Sequence, residues 1–124
     1  MSINQKIVNI NDRAYIIDAF VGTKGFSILA RLSKYATPII AALAEKGEGE
    51  EIDLSPALQT LFFEGTEDFV KLVFDLIQDV NVDGQKINID KEFKQNYIAL
   101  LTLAAEVIKL NYNDVFQKLG MNFD

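Results

Sequence analysis

Residues 79–90 read DVNVDGQKINID, and two folds compete for them. Acidic or amide side chains stand at the first, third and fifth places (Asp79, Asn81, Asp83), with Gly84 sixth and Asp90 twelfth. That is most of the ligand pattern of an EF-hand calcium loop. The same letters alternate apolar and polar about Asp83-Gly84, the strongest short-range signal for a β-hairpin. The details favour the hairpin. An EF-hand wants an apolar residue at its eighth place, where Lys86 stands, and a bidentate Glu at its twelfth, where Asp90 is one methylene short. Val80 and Val82, then Ile87 and Ile89, keep step on either side of the turn. The expectation is a turn that delivers the next helix, with Asp90 as that helix's cap, and no metal site.

Toward the N-terminus, KIVNINDRAYIIDAF (6–20) carries two β-branched runs around Asn11-Asp12-Arg13. This reads as a second hairpin, with Ile7 or Val8 and Ile10 opposite Tyr15 and Ile17, and Ala19 as a further inward candidate. Gly22-Thr23-Lys24-Gly25 does not fit a phosphate-binding loop, because its second Gly follows the Lys; a strand-to-helix turn is expected. From Phe26 the period becomes helical through Ile28, Leu29, Leu32 and Tyr35, until Pro38 breaks or kinks it. Ile39–Ala44 resumes as an apolar piece ended by Gly47. Residues 45–55, EKGEGEEIDLS, offer almost nothing to bury and read as an acidic flexible loop.

Ser55-Pro56 is a helix start with Leu58, Leu61 and Phe62 on its apolar face and Gly65 at its end. Thr66 caps the next helix, where Phe69, Leu72, Val73, Leu76 and Ile77 fall on one stripe. After the hairpin a long helix is expected from Lys91, carrying Phe93, Tyr97, Leu100, Leu101, Ala104, Val107 and Ile108. Asn111–Asp114 should interrupt it before a last short helix, Val115–Leu119, stopped by Gly120. Ile98, Leu103 and Ala105 fill the back of the long helix. A helix apolar on most sides is buried centrally or covered by a partner. The aromatic residues Tyr112, Phe116 and Phe123, with Met121, either pack back on the domain or form a lip for an amphipathic helix.

Composition removes whole classes of function. There is no Cys and no His among 124 residues, so thiolate chemistry, zinc–thiolate sites and imidazole bases are excluded. Carboxylates such as Asp75 and Asp79, or Glu64, Glu67 and Asp68, are explained as solvated or helix-dipole groups, so no catalytic, cofactor-binding or metal site is expected. A net charge of −6 and a pI near 4.6 argue against nucleic acid or an anionic membrane as partner. The start, MSINQKIVNINDR, lacks the apolar segment of a signal peptide. The densest apolar run, Tyr97–Leu103, falls short of the ~20 residues a membrane span needs. Hydrophobic residues make up 49% of the chain, enough for one core.

The expected fold is a single α+β domain over residues 1–124, mainly helical. An N-terminal β-hairpin and a second short hairpin pack with about four to five helices.

The order of segments resembles a family. GTKGFSILARLSKYATPIIAAL, then EDFVKLVFDLIQDV, VDGQKIN and DKEFKQNYIALLTLAAEVIKLNYNDVFQKLG resemble the tail assembly chaperones of long-tailed bacteriophages over residues 6 to 119. Gly25, Phe93, Asn96, Tyr97, Glu106, Val107, Asn111 and Phe116 carry the resemblance, together with a diffuse hydrophobic pattern. It implies a non-enzymatic protein of the host cytoplasm that binds the long helical tape-measure protein during tail morphogenesis. A structural tail or connector subunit retained in the virion is the alternative. Helix-in-groove binding would use Phe26, Leu29, Tyr97, Leu101, Ile108, Tyr112 and Phe116 as the client or self-association surface. Self-association is expected from the surplus of apolar helix surface.

Overall fold

Both hairpins form, and both turn on two residues whose backbones need positive φ. In the computed structural model, which describes residues 5–35, 55, 58–59 and 67–119, strand β1 (Gln5–Ile10) pairs antiparallel with β2 (Arg13–Asp18) across Asn11-Asp12. Strand β3 (Asn81–Val82) pairs with β4 (Gln85–Lys86) across Asp83-Gly84. The φ values are 51° and 66° in the first turn, and 56° and 78° in the second. Turns of that hand match the natural twist of the strands they join. The first turn is thus one residue shorter than Asn11–Arg13, and Arg13 belongs to β2.

The two hairpins share one sheet of order β1-β2-β3-β4. Val8 faces Tyr15, and Tyr15 faces Val82, so these side chains line one face and are buried with Ile17. Ile7 and Ile16 pair on the opposite face, where Ile7 is 61% exposed. Alternation therefore decides for Val8 and against Ile7. Ala19 lies past the end of β2 and is exposed.

Helix α1 (Gly22–Leu32) starts four residues earlier than its apolar period, so Gly22–Gly25 is its first turn and not a separate connection. The Gly25 amide donates to Val21 O at 2.8 Å. A Cβ on Gly25 would stand 3.4 Å from Phe20 Cβ, in van der Waals contact. A 3-10 turn, Ser33–Tyr35, follows. Helix α2 (Glu67–Ile77) buries all five of its predicted stripe residues. The expectations about Pro38, Ile39–Ala44, most of the acidic loop, Pro56, Leu61, Phe62, Gly65, Thr66, Gly120, Met121 and Phe123 fall outside the described residues. Leu58 packs partly buried against the core.

The last segment departs most from expectation. A one-turn helix, α3 (Ile89–Glu92), is capped by Asn88, whose Oδ1 accepts the Lys91 amide at 3.2 Å; Asp90 lies inside the turn and is not the cap. The chain then breaks at 93–96, with Gln95 at φ 60°. Phe93 stays buried and stacks on Tyr15, centroids 6.1 Å apart. Helix α4 (Tyr97–Lys118) follows without interruption for 22 residues. Asn111 does not end it, because its amide is used on both sides. Its Nδ2 donates to Val107 O at 3.0 Å, and its Oδ1 accepts the Phe20 amide at 2.8 Å. Tertiary contacts override the turn preference of Asn-Tyr-Asn-Asp.

Helix α4 is central. It runs beside β1 and packs on α2, and Leu103 and Val107 are almost fully enclosed. Helix α1 packs on α2, with Arg31 Nη1 2.7 Å from Asp75. Lys6 joins β1 to α4 through Glu106 at 3.0 Å. The strongest polar tie links β2 to α3. Arg13 grips Glu92 with two nitrogens (2.9 and 2.7 Å), and the Tyr15 hydroxyl donates to the same carboxylate at 2.6 Å. A third Arg13 nitrogen reaches Asp83. The Arg13 hydrogen bonds, followed by that of Tyr15, hold the Glu92 carboxyl below the usual range. Burial, then Glu92, pushes the Tyr15 hydroxyl up to about 12.

Two outcomes follow. Leu103→Ala should destabilise the domain by about 3 kcal/mol in urea denaturation, as a large-to-small change in a closed core. The depressed Glu92 group adds stability above the ordinary carboxylate range and loses it as pH falls through its folded value. Glu92→Gln should therefore flatten the acid limb of the stability–pH curve, measured by thermal melts between neutral and acid pH.

Candidate partner-binding surface

Surface sites for a protein partner need apolar area that the fold itself leaves open. Val21 and Phe26 bracket the first turn of α1 and are 71% and 76% exposed. Leu29, one turn after Phe26, is half-buried. Below them the Tyr112 hydroxyl donates to Gly25 O at 2.7 Å, and the Tyr112 ring leans on Phe20 at 6.5 Å. Burial pushes this hydroxyl up to about 12, so it is a constant neutral donor. The start of α1, which carries these exposed side chains, is thus a ledge fixed from beneath by α4.

A cleft of about 170 Å³ opens beside that ledge, lined by Phe20, Val21, Lys24, Leu76, Asp79 and Val107 among others. It is smaller than the ~300 Å³ at which ligand pockets begin. Its mouth is polar: Lys24 Nζ lies 5.0 Å from the Phe20 ring centre and 2.6 Å from Asp79. Asp79 also meets Lys86 at 3.0 Å, and these two ammonium partners hold its carboxyl below the usual range. Asp79 and Asp83 are therefore turned to different cations, Asp79 to Lys24 and Lys86, Asp83 to Arg13. An EF-hand would turn them onto one ion.

The seven residues expected at the surface do not form one patch. Phe26 is exposed and Leu29 half-buried at the ledge, whereas Leu101, Ile108, Tyr112 and Phe116 are in the core. Tyr97 is 67% exposed, but it opens α4, about 22 Å along the helix from Tyr112. The tertiary cover of α4 explains the four buried ones: the sheet lies on one side and α2 on another. Ile98, on the back of the long helix, and Leu119 are exposed as well, and so are Val21, Val70 and Phe74, which no sequence pattern marks. Val21 stands alone between Phe20 and Gly22 with no periodic companion, so no pattern marks it. Val70 and Phe74 sit beside a stripe whose five core positions draw attention away from them.

Comparison with known proteins supplies the family. No curated protein and no solved structure matches the chain. One family model does, over residues 11–123, described as phage tail assembly chaperone protein, TAC. It spans nearly the whole chain, both hairpins' turns and the ledge included. The chain belongs to the phage tail assembly chaperone family.

Proposed function

We propose that this chaperone binds the tape-measure protein of its own phage during tail assembly, by seating an amphipathic client helix on the ledge at the start of α1. The observation that carries this reading is the exposed apolar area at the start of α1, Phe26 with half-buried Leu29 one turn on, and Val21 at the rim of a cleft with room for one side chain. Tape-measure proteins are long and helical, and an amphipathic helix is recognised through apolar anchors at helical spacing. The client covers surface that would otherwise promote aggregation. Leu29 flanks the same anchor, and Tyr112 and Phe116 act from beneath by fixing the ledge. Tyr97, at the far end of α4, touches a second portion of the client.

In this reading the protein works without catalysis, since neither imidazole nor thiol is present in the chain. It acts in the host cytoplasm and associates with itself. No described helix is long and apolar enough to cross a membrane. A structural tail or connector subunit is the second reading; mass spectrometry of mature particles separates the two, because a chaperone is lost from the finished tail.

Binding is tested by co-purification and calorimetry with the tape-measure protein from the same genome. Phe26→Asp should weaken the complex about tenfold or more, equivalent to ~1.4 kcal/mol, with an unchanged circular dichroism spectrum. Tyr97→Asp should weaken it less. Failure of the wild-type chain to bind would overturn the proposal.

A further inference from the structure

The open edge of β1 is a self-complementary surface. In a hairpin with a two-residue turn, the residues flanking the turn exchange both backbone bonds, and such pairs alternate along the strands. Ile10 and Arg13 form the first pair, and Val8–Tyr15 and Lys6–Ile17 continue it. The same rule holds in the second hairpin, where the Ile87 amide donates to Val80 O at 2.8 Å. The amides and carbonyls of Gln5, Ile7 and Asn9 therefore point away from β2. Among the described residues no strand pairs with that edge. Gln5, Ile7 and Asn9 are all exposed.

We infer that β1 pairs antiparallel with β1 of a second copy of this chain, across a two-fold axis at Ile7, joining two sheets into one. This specifies the self-association proposed above and does not depend on the client. The register is dictated by the outward groups. Ile7 meets the partner's Ile7, and Gln5 meets the partner's Asn9, each pair exchanging both backbone bonds. On the outer face Ile7 already lies beside Ile16, so pairing builds a row of four isoleucines and covers the 61%-exposed Ile7. Amide faces amide at Gln5 and the partner's Asn9.

Charge permits pairing at this edge. Each copy carries a net charge of −6, which opposes close approach in general. The only charged side chain in β1 is Lys6, which falls opposite the partner's Val8 and is already paired with its own Glu106 at 3.0 Å. No like charges stand directly across. The same axis brings the two α4 helices alongside on one face. Their facing flank carries Thr102, Glu106, Lys109 and Asn113, which helical spacing puts on the side of α4 that reaches Lys6.

The test is the oligomeric state of the full chain, by analytical ultracentrifugation across the micromolar range. The wild type should be a dimer. Ile7→Lys and Ile7→Glu should each weaken it at least tenfold, because position 7 faces itself, and an equimolar mixture of the two should restore a heterodimer. Ile7→Pro should also abolish pairing while leaving circular dichroism unchanged, because the amide it removes points outward and serves no bond to β2. A monomeric wild type would overturn both this inference and the self-association reading. A dimer that survives Ile7→Lys and Ile7→Pro would overturn the β1 seam alone, and a mixture that stays monomeric would overturn the two-fold register.

Discussion

Enclosing α4 is the constraint on which the rest of the structure depends. Ten of its residues are buried, and they point in most directions around the axis. No single layer can cover such a helix. The inner face of the sheet covers one side, α2 another, and Tyr112 carries the contact on to the start of α1. The second hairpin widens the sheet to four strands, and a two-stranded hairpin by itself is only marginally stable in water. Each polar tie then sits at a junction between elements. Lys6–Glu106 holds β1 to α4, Arg31–Asp75 holds α1 to α2, and Arg13–Glu92–Tyr15 holds the sheet to α3.

These ties differ in what they contribute. Lys24–Asp79 and Lys86–Asp79 are well hydrated and orient the α2–β3 connection more than they stabilise it. The Glu92 carboxylate is mostly enclosed and accepts three hydrogen bonds, so losing a partner leaves a charge in a poorly solvated place. It also lies one residue before Phe93, where the chain changes direction to launch α4. That position makes it the group that aligns the central helix with the sheet.

Much of this fold was legible in the residues. Alternation about Asp83-Gly84 identified a hairpin, and the five-residue stripe of Glu67–Ile77 is buried as its spacing requires. The start of α4 was not legible, because Phe93 and Tyr97 keep helical spacing across a break made by the backbone of Gln95. Nor was its continuity through Asn111, which depends on the amide of Phe20 far away in sequence. The surface was least legible of all. Leu101, Ile108, Tyr112 and Phe116 look like a client stripe for the same reason that they are core: hydrophobicity records that a side chain is covered, and not by what. Val21, alone in its surroundings, carries no periodic signal, yet it stands beside the cleft at the ledge.

In the proposed function α4 is already enclosed in the free protein, and the client is met at the start of α1. Hydrogen–deuterium exchange with and without a tape-measure segment tests it most directly. The account predicts that amides of residues 100–112 are strongly protected in the free chain and unchanged on binding, while protection rises around residues 19–29. Rapid exchange along 100–112 in the free chain, slowed only by the client, would contradict it and make α4 itself the binding surface.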